Sequence, residues 1–359
     1  MDKINIALIC NGYGRVMRGA EQFTYQFYNH MKDVLDIDIY GVGKTDHSIQ
    51  IKSKFRDNFL LPWRNGRAYL ESYQFGKAWY QSMIKSKKQY DLIFNNAGIG
   101  ASYWCDKHRR MRETSFITRA RGGGREEKIN YLFKPDCMVF LTKENEVSTK
   151  RFLPKIKTLT IPNAIDLKEY NKKQEPPALL KGLERPIYLG TSAFVRYKRN
   201  DLIIKAASKL NNGSLLLLGD GPLKDKTVKL GKKLLGNRFR YGKVIPYFNR
   251  EKMISLYQHA DVFVQAARKE AFGVVFLEAM ASNMPVVTQQ DKRREEIIGD
   301  AGIRVADCND INDFSQALYF ASTEDWDKKP REQAKKYDWK AIKKQYIELI
   351  KEVASTVII

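Results

Sequence analysis

The sequence predicts an α/β protein made of two doubly wound domains. Short apolar runs typical of buried parallel strands alternate with amphipathic helical segments, this alternation occurs in both halves of the chain, and several runs end in glycine turns. A chain of 359 residues is long enough for two such domains. We place the first domain at residues 1–163, the second at 164–335, and a C-terminal helical segment at 336–359.

The first half begins with the apolar run INIALIC (4–10), which the turn residues Asn11 and Gly12 bound. A helix with apolar residues at helical spacing follows, and DIDIYGVG alternates as a second strand. Three further strands are predicted in DLIFNNAG, SFITRARGG and DCMVFLT. The segment LTIPNAID (159–166) is interpreted as the crossing between the two domains.

The second half repeats this scheme with the strand PIYLGTS, the helix RNDLIIKAASKL, the strand SLLLLGDGP and the later strand DVFVQAA. The chain closes with a predicted helix from Trp339 to Val353. One apolar stripe runs along it, formed by Ile342, Tyr346, Ile350 and Val353.

Composition excludes several classes of protein. A hydrophobic content of 43% with 29% charged residues is typical of a globular chain, and no run of about 18 apolar residues predicts a membrane span. The N-terminus lacks the pattern of a signal peptide, so we expect a cytoplasmic protein. Neither the four cysteines nor the four histidines have metal-ligand spacing, and the DxD pairs at 36–38 and 325–327 lie in a strand pattern and a loop pattern. We therefore expect no metal and no cofactor.

The formal net charge of +22 is shared by both halves. Residues 1–163 carry 28 Lys and Arg against 16 Asp and Glu, and the remainder carries 35 against 25. Such a field attracts an anionic membrane surface or a phosphorylated glycan, although simple solubility is an alternative explanation. We do not expect nucleic acid as a partner.

Two glutamates eight residues apart give the strongest functional signal. The segment 270–278 reads EAFGVVFLE and continues as AMASNMPVV, directly after a predicted strand at 261–265. We predict a helix from about Phe272 to Ser282, with Glu270 in the preceding loop. Gly273 permits close approach of a ligand, and the start of the helix offers N–H groups to an anion. Glu278 lies about two helical turns further on, so its carboxylate faces roughly the way the start of the helix faces and can accept hydrogen bonds from hydroxyl groups. An anion site together with a hydroxyl acceptor favours a sugar nucleotide.

This segment resembles the Glu-x7-Glu signature of retaining family 4 glycosyltransferases. The resemblance implies the GT-B fold, in which two Rossmann-like domains face each other across a cleft and the last helix returns to the first domain. It implies a nucleotide-diphospho-sugar donor and no metal. Glu270 would bind sugar hydroxyls, the backbone of Phe272, Gly273 and Val274 would bind the diphosphate, and Glu278 would bind the ribose.

Two further segments of the second half match the family, with departures. Gly219-Asp220-Gly221-Pro222 resembles its G-[DE]-G-P turn, so Gly219 and Gly221 are candidate donor-binding residues, and we expect both glycines to supply positive φ. Lys198 lies where the family places a lysine on the donor diphosphate. Lys198 and Glu270 are the two candidate catalytic residues. The family's arginine is replaced by Ala193, so Arg196 or Arg199 is the alternative second cation. Ala271 and Asn283 replace two family glycines. The substitution by Asn283 is a mild departure, because asparagine tolerates the left-handed conformation of a helix cap.

The first half matches the family loosely. Gly19, in Arg18-Gly19-Ala20-Glu21, resembles the family's G-G-x-E loop and is a candidate phosphate contact through its backbone N–H. Arg121 lies where relatives carry a histidine. With Arg119 it is a candidate clamp for an anionic acceptor or leaving group, and a solvated basic loop is the alternative.

The resemblance therefore implies transfer of a sugar from a UDP- or GDP-sugar to a glycan or lipid-linked acceptor with retention of configuration. Ala193 and Arg121 favour an alternative, a nucleotide-sugar binder that has lost transfer. A nicotinamide-dependent oxidoreductase is a third hypothesis, which the glycine patterns do not support. The basic first half and its aromatic residues Trp63, Tyr69, Tyr73 and Trp79 suggest peripheral attachment to the inner face of a membrane. The alternative is that Trp63 and Trp79 belong to the core and that the lysines are merely solvated.

Overall fold

The computed structural model describes residues 3–53, 64–86, 88–120, 129–152, 155–243 and 249–355, without the side chains of residues 64–68 and 131. The chain forms two compact units. The first combines Met1–Asn163 with Lys340–Ile359, and the second is Ala164–Trp339. Each unit contains one parallel sheet with helices, so the predicted class of two doubly wound α/β domains is confirmed. Residues 336–339, which we assigned to the C-terminal segment, group with the second unit.

The first unit has a seven-stranded sheet in the order β3-β2-β1-β4-β5-β6-β7, and every neighbouring pair is parallel. Its strands are β1 Asn5–Ile9, β2 Asp36–Gly41, β3 Ser48–Gln50, β4 Leu92–Asn95, β5 Ser115–Ala120, β6 Cys137–Phe140 and β7 Lys157–Thr160. Its described helices are α1 Gly19–Met31, α2 Arg64–Lys85, α3 Ile99–Arg112 and α4 Lys143–Lys150. The sequence predicts that the segment 159–166 is the crossing between the domains. Its first two residues instead belong to β7, which pairs with β6 at the edge of the sheet.

Helices α2 and α3 pack closely through two glycines. A Cβ on Gly100 would lie 2.4 Å from the backbone O of Tyr69, and a Cβ on Gly76 would lie 2.8 Å from the Cα of Ala101. Trp79 of α2 is fully buried in the core of the unit, whereas Tyr69 and Tyr103 are more than 40% exposed. The pair therefore has a buried aromatic side and an exposed one.

The last helix of the chain, α12 (Trp339–Ser355), completes the core of the first unit. The ring of Tyr346 lies 5.7, 5.3 and 5.9 Å from the rings of Phe23, Phe27 and Phe94. The hydroxyl of Ser115 donates to the carbonyl of Val353 at 2.8 Å. All four residues of the predicted apolar stripe are at most 4% exposed, so the amphipathic pattern correctly identified the buried face.

The second unit has a six-stranded parallel sheet in the order β10-β9-β8-β11-β12-β13. Its strands are β8 Ile187–Thr191, β9 Ser214–Leu218, β10 Phe239–Gly242, β11 Val262–Gln265, β12 Val286–Gln289 and β13 Gly302–Val305. Its described helices are α5 Asn200–Ser208, α6 Lys224–Leu235, α7 Arg250–His259, α8 Val274–Ala281, α9 Lys292–Ile298, α10 Ile311–Thr323 and α11 Lys329–Lys335. The strand order is that of a Rossmann fold, and it reverses between β8 and β11. Ligands of such sheets bind outside the carboxyl ends of the strands at this switch point.

None of the described helices is both long and apolar enough to cross a bilayer. The four cysteines are all buried and unbridged.

Candidate active site

The candidate site of the second unit is built from the two segments that leave the sheet at the switch point. The segment after β8 carries Lys198, and the segment after β11 carries Glu270. Helix α8 then follows and carries Glu278. The residues that the sequence pattern singled out therefore lie on neighbouring connections at one edge of the sheet, where the fold binds ligands.

Lys198 and Glu270 form an ion pair. The Nζ of Lys198 lies 2.5 Å from Oε2 of Glu270, and the two side chains are 13% and 16% exposed. The other oxygen of Glu270 accepts the backbone N–H of Ala271 at 3.1 Å. The structure thus brings together the two candidate catalytic residues, which lie 72 positions apart in the sequence.

Two guanidinium groups hold the carbonyls that lead into the Glu270 loop. Arg199 donates through Nε to the carbonyl of Ala266 at 2.7 Å, and Arg294 donates to the carbonyl of Ala267 at 2.6 Å. The backbone N–H of Arg268 also donates to the carbonyl of Tyr197 at 2.8 Å. These contacts join the two connections on either side of the Lys198–Glu270 pair.

Arg199 has a different task from the one we considered for it. Its backbone is left-handed (φ 51°), and its guanidinium contacts Ala266 and the side-chain oxygen of Gln289, the latter at 2.8 Å. It therefore positions the loop rather than extending as the second cation in place of Ala193. Arg294 is likewise buried, with 1% of its surface exposed, and it pairs with Asp291. Burial lowers the pKa of Arg294, while Asp291 and Glu270 oppose this shift.

Helix α8 begins at the predicted glycine. Gly273 is the N-cap with φ 85°, and a Cβ at this position would lie 2.4 Å from the ring of Phe276. The first N–H groups of a helix have no i−4 partner within it. The N–H of Phe276 donates to the carbonyl of Gly273 at 2.9 Å, so the N–H groups that precede Phe276 are those available to an anion. Phe272 is 2% exposed and its ring lies 6.0 Å from that of Tyr337, so its side chain belongs to the core, and the contact of its backbone with a diphosphate stays a prediction. The helix ends before Asn283, whose left-handed φ of 61° confirms the predicted cap.

Glu278 is held from two sides. Arg250 donates to Oε1 at 2.9 Å, and the hydroxyl of Tyr257 donates to Oε2 at 2.9 Å. Arg250 also pairs with Glu169 and contacts the hydroxyl of Tyr170 at 2.9 Å. Glu278 itself is 8% exposed. Its carboxylate is thus fixed in place before any ligand arrives.

The Gly219–Pro222 turn packs against the segment that leads to Lys198. Phe194 donates to the carbonyl of Asp220 at 2.8 Å, and a Cβ on Gly219 would lie 2.0 Å from the carbonyl oxygen of Ser192. Gly221 has φ 149°, whereas Gly219 is not in the left-handed region. We expected both glycines to supply positive φ. The structure corrects this for Gly219, which is required because two backbone segments approach each other.

Arg196 lies apart from the Lys198–Glu270 pair. It is exposed and lines a cavity of about 410 Å³ together with Asn200 and Lys226. Neither Lys198 nor either glutamate lines this cavity. Arg196 begins the short 3-10 turn Arg196–Lys198 that ends with Lys198, and its role as a replacement for the missing arginine stays a prediction.

The candidates of the first unit have different outcomes. A Cβ on Gly19 would meet no atom of the described chain within 4 Å, so the start of α1 is open there. Arg119 is only 3% exposed, its guanidinium carbon lies 3.6 Å from the ring centre of Phe23, and it donates to Asn163 at 2.5 Å. Arg119 therefore belongs to the core, and the expected anion clamp is wrong for this residue. Arg121 lies in 121–128, outside the described residues.

Several residues of the site had no recognisable sequence signal. Arg250, Tyr257 and Arg294 come from helices whose apolar patterns gave no reason to single them out. Within the described ranges, no group of three or more His, Cys, Asp and Glu side chains is arranged to hold a metal.

Comparison of the whole chain with solved structures identifies the fold. Sucrose-phosphate synthase from Thermosynechococcus elongatus superposes with a TM-score of 0.80, 18% identity and coverage of 99% of this chain and 100% of that one. HepE of Anabaena, solved in complex with UDP-glucose, gives a TM-score of 0.72 with 14% identity over 97% and 100% of the two chains. With its two Rossmann-like units, the chain has the GT-B fold.

Residues 171–341 match the family described as "Glycosyl transferases group 1". The matched part of the chain contains Lys198, Glu270 and Glu278. A lipopolysaccharide core biosynthesis glycosyltransferase of Rhizobium meliloti is 25% identical over 207 residues, which are 55% of this chain and 57% of the relative. The chain spans about a third to just over half the length of the first curated relatives it matches.

Proposed function

We propose that the protein is a retaining glycosyltransferase of the family 4 type, which transfers a sugar from a UDP- or GDP-sugar to a glycan or lipid-linked acceptor. The observation that carries this proposal is the Lys198–Glu270 ion pair beside the start of α8, at the switch point of a glycosyl transferases group 1 domain. The complex of HepE with UDP-glucose supports a nucleotide-diphospho-sugar as donor, and the lipopolysaccharide enzyme supports a glycolipid acceptor.

In this proposal each group has a separate task. The N–H groups at Gly273 and Val274 bind the diphosphate, since the start of a helix favours an anion. Lys198 offsets the negative charge that grows on the diphosphate as it leaves, and Glu270 binds hydroxyls of the transferred sugar. Glu278 accepts from the ribose hydroxyls. Gly19 of the first unit offers a further backbone N–H to a phosphate.

Retention follows in this proposal from a reaction on one face of the sugar. The leaving diphosphate oxygen assists deprotonation of the incoming acceptor hydroxyl, so the carbon–oxygen bond to the diphosphate breaks on the face where the new glycosidic bond forms. The protein then contributes positioning and electrostatic stabilisation rather than a nucleophile. Lys198 supplies the positive charge for this step, so we propose that no metal is needed.

The donor and the stereochemistry are tested together. Calorimetry with UDP-, GDP- and other nucleotide sugars is expected to give one clearly preferred donor, and proton NMR of the product should show the anomeric configuration of that donor. Activity should be unchanged by EDTA. An inverted product contradicts the family 4 assignment, and activity that EDTA abolishes and one divalent ion restores contradicts metal independence.

A second candidate function is a nucleotide-sugar binder without transfer. Ala193 favours it, because Arg199 is held by Ala266 and Gln289 and Arg196 faces a separate cavity. Tight donor binding with neither transfer nor donor hydrolysis over a panel of glycan and glycolipid acceptors would support this alternative.

We further propose that the exposed side of α2 and α3 attaches the protein to the inner, anionic face of a membrane. Tyr69, Leu70 and Tyr103 are 44%, 51% and 42% exposed there. Lys107 lies over the Trp104 ring at 5.5 Å, and Arg110 and Arg112 in the last turn of α3 are exposed as well. Amphipathic aromatic residues beside cations suit a headgroup region, where each cation contributes about 1 kcal/mol. This membrane proposal rests on the exposed residues of α2 and α3. Trp79 does not contribute, because it belongs to the core, and Trp63 lies outside the described residues.

Liposome sedimentation tests this attachment. The protein should sediment with anionic but not neutral vesicles at low salt and be released at high salt, because the screening length is about 10 Å at 0.1 M salt. Replacing Tyr69 and Leu70 by serine should weaken binding. Replacing Tyr319 and Phe320 of α10, which are 52% and 49% exposed, should not. Protein that stays in the supernatant with anionic vesicles at low salt contradicts the membrane proposal.

A further inference from the structure

Arg250 and Tyr257 meet the carboxylate of Glu278 from different directions, and each contacts one oxygen. Arg250 lies at the first position of α7, and Tyr257 lies two turns later on the same helix. The side chains of Arg250 and Glu278 are 13% and 10% exposed, and Tyr257 is 1% exposed. A buried carboxylate with fixed donors has little freedom to rotate.

The number of contacts matters for what Glu278 can bind. A carboxylate offers about four lone-pair positions, two on each oxygen. Arg250 occupies one on Oε1 and Tyr257 occupies one on Oε2. One acceptor position therefore remains on each oxygen. One remaining acceptor position on each oxygen matches two neighbouring hydroxyls, which is the pattern of a ribose cis-diol.

Further contacts hold both donors in place. Arg250 is anchored by the carboxylate of Glu169 and by the hydroxyl of Tyr170, so its fork cannot swing away from Glu278 without breaking these contacts. The Tyr257 hydroxyl also lies 3.3 Å from Oγ1 of Thr191 at the end of β8. Burial, and next the charge of Glu278, raise the pKa of the Tyr257 phenol well above its usual value. It therefore remains protonated and donates to Glu278.

We propose that Arg250 and Tyr257 are positioning residues that set Glu278 to recognise a ribose diol and so make the site selective for ribonucleotides over 2′-deoxyribonucleotides. This inference rests on the proposed function, because it assigns the nucleotide ribose to Glu278. It adds two residues that act through Glu278 and do not touch the ligand in this proposal.

The test measures the dissociation constants of UDP, GDP and their 2′-deoxy forms by calorimetry, using the nucleotide that the wild-type protein binds more tightly. Loss of one hydrogen bond changes affinity by about fivefold, so the wild type should prefer the ribose form by at least that factor. In Arg250→Gln and in Tyr257→Phe this preference should fall to below twofold, because binding of the ribose form weakens while binding of the deoxy form changes little.

Tyr257→Phe keeps the ring in its buried position, so it decides the question if Arg250→Gln does not fold. Arg238→Gln is the matched control. Arg238 is also partly buried and donates to the carbonyls of Leu210 at 3.0 Å and Gly213 at 3.3 Å, which lie outside α7 and α8. It should lower the melting temperature and keep the ribose preference.

The outcomes separate the inference from the proposed function. If wild-type protein binds none of the four nucleotides, the proposed function fails and the inference fails with it. If the wild type prefers ribose and Tyr257→Phe weakens ribose and deoxy forms by the same factor, or changes neither, the inference alone is overturned. A wild type that binds both forms equally also overturns it.

Discussion

Replacing Lys198 with alanine or Glu270 with glutamine is expected to lower turnover by about 100-fold or more, the size of effect seen when one transition-state contact is lost. In the proposed reaction, Lys198 supplies the charge that offsets the departing diphosphate and Glu270 binds the transferred sugar. In the structure, Glu270 holds the Nζ of Lys198 at 2.5 Å. The loss should appear in the turnover number at saturating donor, because the lysine acts most strongly when charge develops.

A second lysine–glutamate pair provides the control. Lys335 and Glu332 are also 2.5 Å apart in the same unit, but their side chains are more than half exposed and they lie on α11. Lys335→Ala should leave turnover unchanged, since an exposed pair contributes little. Near wild-type rates in both Lys198→Ala and Glu270→Gln, measured under saturating donor, would remove these two residues from the mechanism.

Gly219→Ala is expected to damage both stability and activity. The added Cβ would lie 2.0 Å from the carbonyl oxygen of Ser192 and 2.6 Å from the ring of Phe194, so the backbone must move. Such overpacking costs about 1–3 kcal/mol, which corresponds to a fall of roughly 3–10 °C in melting temperature for a unit of this size. Because the displaced segment leads directly to Lys198, turnover should fall as well.

Gly182→Ala separates the clash from a general effect of losing a glycine. Gly182 has a left-handed φ of 75°, but no described atom lies within 4 Å of the added Cβ. This variant should lose about 1–2 kcal/mol through backbone strain alone and keep full turnover. Calorimetric melting and a donor-saturated assay distinguish the two variants. Equal behaviour would mean that the contact of Gly219 with Ser192 has no role in positioning the segment.

Local patterns were sufficient to predict the fold because most buried strands of both sheets are continuous apolar runs. The runs at 4–10 and 261–265 contain β1 and β11, and the helix predicted from Phe272 is observed from Val274. Strand β7 was harder to recognise because none of its four residues is fully buried, so its apolar pattern is weak. The edge position of this strand explains the weakness, since one of its sides has no partner strand.

Residues of the candidate site could be predicted only where they belong to a recognisable local sequence motif. Glu270 and Glu278 share one segment, and Lys198 could be placed by its resemblance to the family. Arg250 contacts Glu278 over 28 positions of sequence, and nothing near Arg250 indicates that partner. Arg119 failed for the opposite reason. Its place in a basic segment suggested a solvent-exposed cation, but Arg119 is buried in the core, where it contacts Phe23 and Asn163.

The return of α12 to the first unit has a consequence for how the chain is made. Synthesis proceeds from the N-terminus, yet the aromatic cluster of Phe23, Phe27 and Phe94 is closed by Tyr346, which is translated more than 250 residues after Phe94. The second unit is one uninterrupted segment, Ala164–Trp339, that emerges before α12. Of the two units, the one begun first on the ribosome is therefore completed last, and its aromatic cluster lacks Tyr346 until α12 has been synthesised.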